Sequence, residues 1–144
     1  MPLQRFEGRP VLLVNTASRC GYTDQYADLQ EIWSRYRDQG LVVLAVPSND
    51  FRQELASEAK VKQFCEATFG VDFPMTEINR VKGAQAHPLY RWLAARLGDA
   101  GTPGWNFHKV LLDPQGRPVA GWPSRVRPTD AEIVSRIEAL LPSG

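Results

Sequence analysis

Apolar residues in this chain fall into two kinds of pattern, short continuous runs and stripes at helical spacing. Val11 to Ala17 and Leu41 to Val46 are continuous runs rich in Val, Leu and Ala, the signature of strands buried on both faces. Pro47 is expected to end the second run. Between the runs, Leu29, Ile32, Trp33 and Tyr36 recur at i, i+3, i+4 and i+7, which predicts a helix over Tyr26 to Gln39 with Gly40 as its stop. A second helix is expected after Ser57, with Val61, Phe64, Cys65 and Thr68 on one face and Gly70 at its end. Phe73-Pro74-Met75 reads as a short extended piece. Pro88 opens a further helix with Leu89, Trp92, Leu93 and Leu97 in register. Phe107 to Leu112 and Val119 to Trp122 form a hairpin across the turn sequence Asp113-Pro114-Gln115-Gly116. Thr129-Asp130-Ala131-Glu132 has the form of a capping box and opens a last helix, with Ile133, Ile137, Leu140 and Leu141 inward.

The resulting order is β-α-β-α, then an extended piece and a helix, then β-β-α. Buried strands separated by helices require parallel crossovers, and the terminal hairpin adds an antiparallel pair. This is the plan of an α/β protein with a thioredoxin-like fold, a central mixed sheet flanked by helices. At 144 residues, the whole of 1–144 is expected to form one domain, and no repeat or linker interrupts it.

Composition narrows the function. Lys+Arg is 17 and Asp+Glu is 16, a balance that offers nothing to nucleic acid or to an acidic membrane surface. No apolar run approaches the roughly 18 residues of a membrane span. Two cysteines are too few for a disulfide scaffold, and with two histidines they fit no zinc spacing, so neither metal nor cofactor is expected. The first ten residues are polar and short, unlike a signal peptide. Cytoplasm and periplasm are both consistent with that start, because a signal peptide removed on export would leave the same sequence.

The chemistry centres on Cys20. It follows the first apolar run and precedes a helix, where backbone N–H groups and the helix dipole favour an anion. Such a position lowers a thiol pKa from its free value of about 8.5 and creates a nucleophile. Arg19 favours the thiolate and Asp24 opposes it. The alternative is an inert core cysteine, the common state of a free thiol. In an open α/β sheet, ligands bind beyond the carboxyl ends of the strands. The loop after the second run brings Asn49 and Gln53 to the same rim, as amide donors or, for Asn49, as an ordinary Asx turn. Trp105 and Asn106 end a glycine-bearing loop and offer further N–H donors, although a tryptophan there also suits a core or lid position.

Three stretches carry a resemblance. Asn15-Thr16-Ala17-Ser18-Arg19-Cys20-Gly21-Tyr22-Thr23 resembles the active-site signature of the glutathione peroxidase family. Val46-Pro47-Ser48-Asn49-Asp50-Phe51-Arg52-Gln53-Glu54 is similar to its second signature, and Trp105-Asn106-Phe107-His108-Lys109 to its third. They occur in the family's order, and the resemblance runs from about Phe6 to Leu141. It implies a thiol peroxidase that reduces hydrogen peroxide and organic hydroperoxides, with Cys20, Gln53, Trp105 and Asn106 in the family's four catalytic positions. The sequence departs from the family in lacking its usual N-terminal hairpin and in a loop one residue shorter before Gln53. Ser48 replaces a frequent cysteine, Asp24 replaces a frequent proline, and cysteine takes the place of selenocysteine, which implies slower attack on the peroxide.

Cys65 with Phe64, followed by Phe69-Gly70-Val71-Asp72-Phe73-Pro74, resembles the resolving-cysteine segment of the two-cysteine members. Core packing on the helix face is the other reading of Cys65. In the two-cysteine reading, a Cys20 sulfenic acid condenses with Cys65, and thioredoxin (or glutathione) reduces the product. The short loop between Leu97 and Trp105 resembles the monomeric branch of the family. A peroxide sensor that relays Cys20 oxidation to a partner protein would share the first chemical step. A thioredoxin-type disulfide oxidoreductase needs Cys-x-x-Cys, and Thr23 stands where its second cysteine would be.

Overall fold

The computed structural model describes residues 8–17, 24–48, 60, 72–76, 78–81, 83 and 85–141. A four-stranded sheet is formed by β1 (Val11–Thr16), β2 (Val42–Pro47), β3 (Lys109–Leu112) and β4 (Pro118–Trp122), in the order β2-β1-β3-β4. β1 and β2 are parallel, with Val11 opposite Val42 and Thr16 opposite Pro47. β1–β3 and β3–β4 are antiparallel. The helices are α1 (Gln25–Tyr36), α2 (Pro88–Leu97) and α3 (Ala131–Leu140). The mixed thioredoxin-like plan read from the sequence is therefore the observed one.

Alternation along the strands explains the layering. Leu12 and Val14 point to one face, where they meet Leu29 and Ile32 of α1 and Ile133 and Ile137 of α3. Val11 and Leu13 point to the other, against Tyr90 and Leu93 of α2. Successive strand side chains face opposite ways, so a strand covered on both sides needs an unbroken apolar run. The Phe73-Pro74-Met75 piece lies beside β2. Ala45 N–H donates to the Pro74 carbonyl at 3.0 Å, and Thr76 N–H to the Ala45 carbonyl at 2.9 Å.

Several boundaries shift from the sequence reading. Pro47 does not end β2 but pairs as its last residue, where a missing N–H is tolerated. α1 ends at Tyr36 and tightens into a 3₁₀ turn, Arg37–Gln39, which Gly40 closes with φ 111°. The hairpin strands are four and five residues long, and a register shift falls between Leu111 and Leu112. In its turn, the Asp113 carboxylate accepts from the backbone N–H of Gln115 and Arg117, both at 2.9 Å. On α2, Tyr90 and Leu93 are the fully buried residues, while Leu89, Trp92 and Leu97 are only partly buried. The capping box at Thr129 does not form. Asp130 is the N-cap without a side-chain cap bond, because its carboxylate accepts from the Arg127 N–H while the Thr129 hydroxyl donates to Asp28. The helix expected after Ser57 lies outside the described residues, apart from Lys60, which is helical and exposed.

Candidate active site

Two sequence-predicted site residues, Trp105 and Asn106, lie within the described structure; Cys20, Asn49, Gln53 and Cys65 lie outside it. Trp105 and Asn106 sit at the end of the loop from α2 to β3, and both ends of that loop are fixed. A 3₁₀ turn, Gly98–Gly101, follows α2. Its Ala100 carbonyl accepts from His108 Nε2 at 2.6 Å, so that nitrogen carries the proton. Burial lowers the His108 pKa and keeps the ring neutral at pH 7; the Ala100 bond works the other way, and Lys109 adds to the lowering. Gly121 of β4 lies under the same turn, and a Cβ there would collide with the Ala100 carbonyl.

The other end is held by Asn15, at the carboxyl end of β1. Its Nδ2 donates to the Trp105 carbonyl at 2.9 Å, and its own carbonyl accepts from the Phe107 N–H at 2.6 Å. One residue thereby clamps both sides of Asn106, which is fully buried. Phe107 adopts φ 64°, a left-handed conformation that costs a bulky residue of order 1–3 kcal/mol. Its ring is held edge-on against Tyr26 of α1, with centroids 5.0 Å apart. The strained turn aims Asn106 inward and leaves Trp105 outward, 38% exposed. Asn15 also begins the segment that leads to Cys20, so the clamp joins the first and third signature stretches. Asn15 is a site residue that the sequence alone does not reveal, because both of its partners are distant along the chain.

Trp105 borders an open cleft of about 260 Å³, shared with Gly104, His108, Pro123, Ser124 and Arg125. Beneath it, Lys109 is fully buried and its Nζ donates to the Ser124 carbonyl at 2.9 Å. The same carbonyl accepts from Nε2 of Gln25, the first residue of α1, at 2.8 Å. Burial lowers the Lys109 pKa to about 7, against the attraction of Asp130 and Asp28 and with the repulsion of Arg127. Lys109 lies in the third signature stretch, where the resemblance implies no role for it. Among the described residues, no group of three or more His, Cys, Asp or Glu could hold a metal, and no helix is long and apolar enough to cross a membrane.

Comparison with known proteins bears on the family and the fold. Residues 1–94 match the family described as glutathione peroxidase. Hydroperoxy fatty acid reductase gpx1 of Synechocystis is 43% identical over 96% of this chain and 86% of its own length. Glutathione peroxidase-like peroxiredoxin HYR1 of Saccharomyces cerevisiae is 36% identical over 97% and 87%. The crystal structure of Trypanosoma cruzi GPX1 superposes with a TM-score of 0.73 at 30% identity, covering 97% of this chain and 86% of that one. A thioredoxin-family thiol:disulfide interchange protein of Chlorobium tepidum, 13% identical with a TM-score of 0.69 over 97% and 85%, shares the fold.

Proposed function

The chain belongs to the glutathione peroxidase family, and from that membership we propose a course for the reaction it catalyses as a peroxidase. Residues 1–144 act as one thioredoxin-like peroxidase domain. The Cys20 thiolate attacks one oxygen of the hydroperoxide. An S–O bond forms, the O–O bond breaks, and the departing alkoxide or hydroxide takes a proton to leave as alcohol or water. Gln53, Trp105 and Asn106 surround the thiolate with N–H donors. Such donors stabilise the charge as it moves from sulfur to the leaving oxygen. The observation that carries this reading is the Asn15 clamp, which ties the Trp105–Asn106 turn to the strand that leads to Cys20.

Cys65 then attacks the Cys20 sulfenic sulfur, a disulfide forms and water leaves. A dithiol protein of the thioredoxin type returns two electrons to the disulfide; glutathione is the alternative donor. The protein works as a monomer. The cleft beside Trp105 supports a finer substrate assignment. Its lining includes the exposed Trp105 indole and the exposed Arg125, which suits a hydroperoxide with an apolar body and an anionic end. The Synechocystis relative is named for hydroperoxy fatty acids.

Steady-state turnover tests the scheme. Thioredoxin with its reductase is expected to support rapid reduction of hydrogen peroxide and of a fatty acid hydroperoxide, and Cys20→Ser is expected to lose at least about 10³-fold. Turnover that survives in Cys20→Ser would refute the assignment of the nucleophile.

A further inference from the structure

We propose that Arg127 is a positioning residue for the Cys20 thiolate: by pairing with Asp24 and Asp28 at the start of α1, it keeps their negative charge from opposing ionisation of the thiol. This rests on the reading of Cys20 as the reactive thiol.

The geometry is a two-pronged clamp. Arg127 Nε donates to Asp28 Oδ2 at 2.6 Å, and its Nη1 donates to Asp24 Oδ2 at 3.0 Å. The two carboxylates are one helical turn apart, so a single guanidinium serves both. Arg127 is itself held in place, because its backbone N–H donates to Asp130 Oδ2 at 3.0 Å. Asp28 also accepts from the Thr129 hydroxyl at 3.4 Å. Asp24 is the N-cap of α1 yet makes no side-chain cap bond, so its carboxylate is committed to Arg127 rather than to the helix amides. The two carboxylates hold the guanidinium firmly protonated.

Removing this cation has a calculable sign. Asp24, Asp28 and Asp130 face Arg127, and Lys109 of β3 feels Asp28, Asp130 and Arg127; the five charges sum to −1 with Lys109 protonated and to −2 with it neutral, and loss of Arg127 makes either sum one unit more negative. Asp24 follows Cys20 by four residues, so their backbones lie within about 14 Å. The Debye length is about 30 Å in 0.01 M salt and about 3 Å in 1 M salt. The added negative charge therefore reaches the thiol at low salt and is screened at high salt. The positive potential of the α1 N-terminus and the neighbouring Arg19 act in the opposite direction, in favour of the thiolate.

The experiment measures the Cys20 pKa from the pH dependence of iodoacetamide alkylation, read on the Cys20 peptide of the full chain in a Cys65→Ser background. In 0.01 M salt, Arg127→Gln is expected to raise that pKa by about 0.5 unit, a roughly threefold slower alkylation below the pKa. In 1 M salt the shift is expected to vanish. Asp24→Asn with Asp28→Asn, added to Arg127→Gln, removes two negative charges against one positive and is expected to bring the pKa back to the original value or below it. The same two substitutions with Arg127 intact are expected to lower it, a prediction that stands even if Arg127→Gln fails to fold. An unchanged pKa at low salt, or a shift that survives both high salt and removal of the carboxylates, would overturn the proposal. Trapping sulfenic acid at Cys20 after one equivalent of hydrogen peroxide separately tests the reactive-thiol reading, and its failure leaves the charge measurement interpretable.

Discussion

The Lys109 ammonium lies wholly inside the protein, where it donates to the Ser124 carbonyl and has three charged side chains around it. Burial lowers its pKa from 10.5 to about 7. Between those two values the unfolded chain binds more protons than the folded one, so stability rises with pH across that window. Below pH 7 both states are protonated and the full penalty, on the order of 5 kcal/mol, is present. Urea unfolding from pH 6 to pH 10 is expected to show this rise, and Lys109→Met is expected to flatten it. A slope that persists in Lys109→Met would assign it to another group. Nothing in the sequence marks this lysine as buried, since a lysine beside a strand ordinarily carries its charge to water. Asn15 was equally silent, because its two partners lie ninety and more residues away. Asn15→Ala is expected to lose about 1–2 kcal/mol of stability and to slow peroxide reduction about tenfold, as the Trp105–Asn106 turn loosens. Unfolding midpoints and stopped-flow oxidation rates check the two effects separately.

At the scale of elements, α1 connects the site to the rest of the fold. Its first turns are held by Arg127, and its last by Tyr36, whose hydroxyl donates to Glu138 of α3 at 2.8 Å. Burial and the Glu138 carboxylate together raise the Tyr36 pKa, so the hydroxyl remains a donor through neutral pH. The turn from α2 toward Trp105 depends on a missing side chain. A Cβ on Gly121 would meet the Ala100 backbone and side chain, and β4 could accommodate it only by moving from the turn. Gly121→Ala is therefore expected to destabilise by about 2–3 kcal/mol, measured as a lowered unfolding midpoint with an unchanged urea slope. The strands and the buried faces of α1 and α3 were legible because burial on one or both faces imposes a period on the sequence. The element ends were less so. Thr129 had the local signature of a cap, but Asp28 drew its hydroxyl across to α1. The left-handed Phe107 left no trace either, because its strain is held by tertiary contacts with Asn15 and Tyr26.

For the whole molecule, a sheet of order β2-β1-β3-β4 sets the carboxyl ends of the parallel pair β1 and β2 on one side. Antiparallel β3 begins on that side, so the Trp105–Asn106 loop arrives where β1 ends. The topology was readable from the alternation of strands and helices. The meeting of these loops was readable only through the three signature stretches, because no local pattern encodes contacts between distant segments. The central claim is that Cys20 is oxidised by peroxide and resolved by Cys65. Intact-mass and peptide analysis after one equivalent of hydrogen peroxide, without reductant, tests it most directly. The predicted product is about two mass units lighter than the reduced chain and carries a Cys20–Cys65 disulfide, while Cys65→Ser stops at a Cys20 sulfenic acid. A wild-type chain that accumulates sulfenic acid without the disulfide, or that leaves Cys20 reduced, would contradict the account.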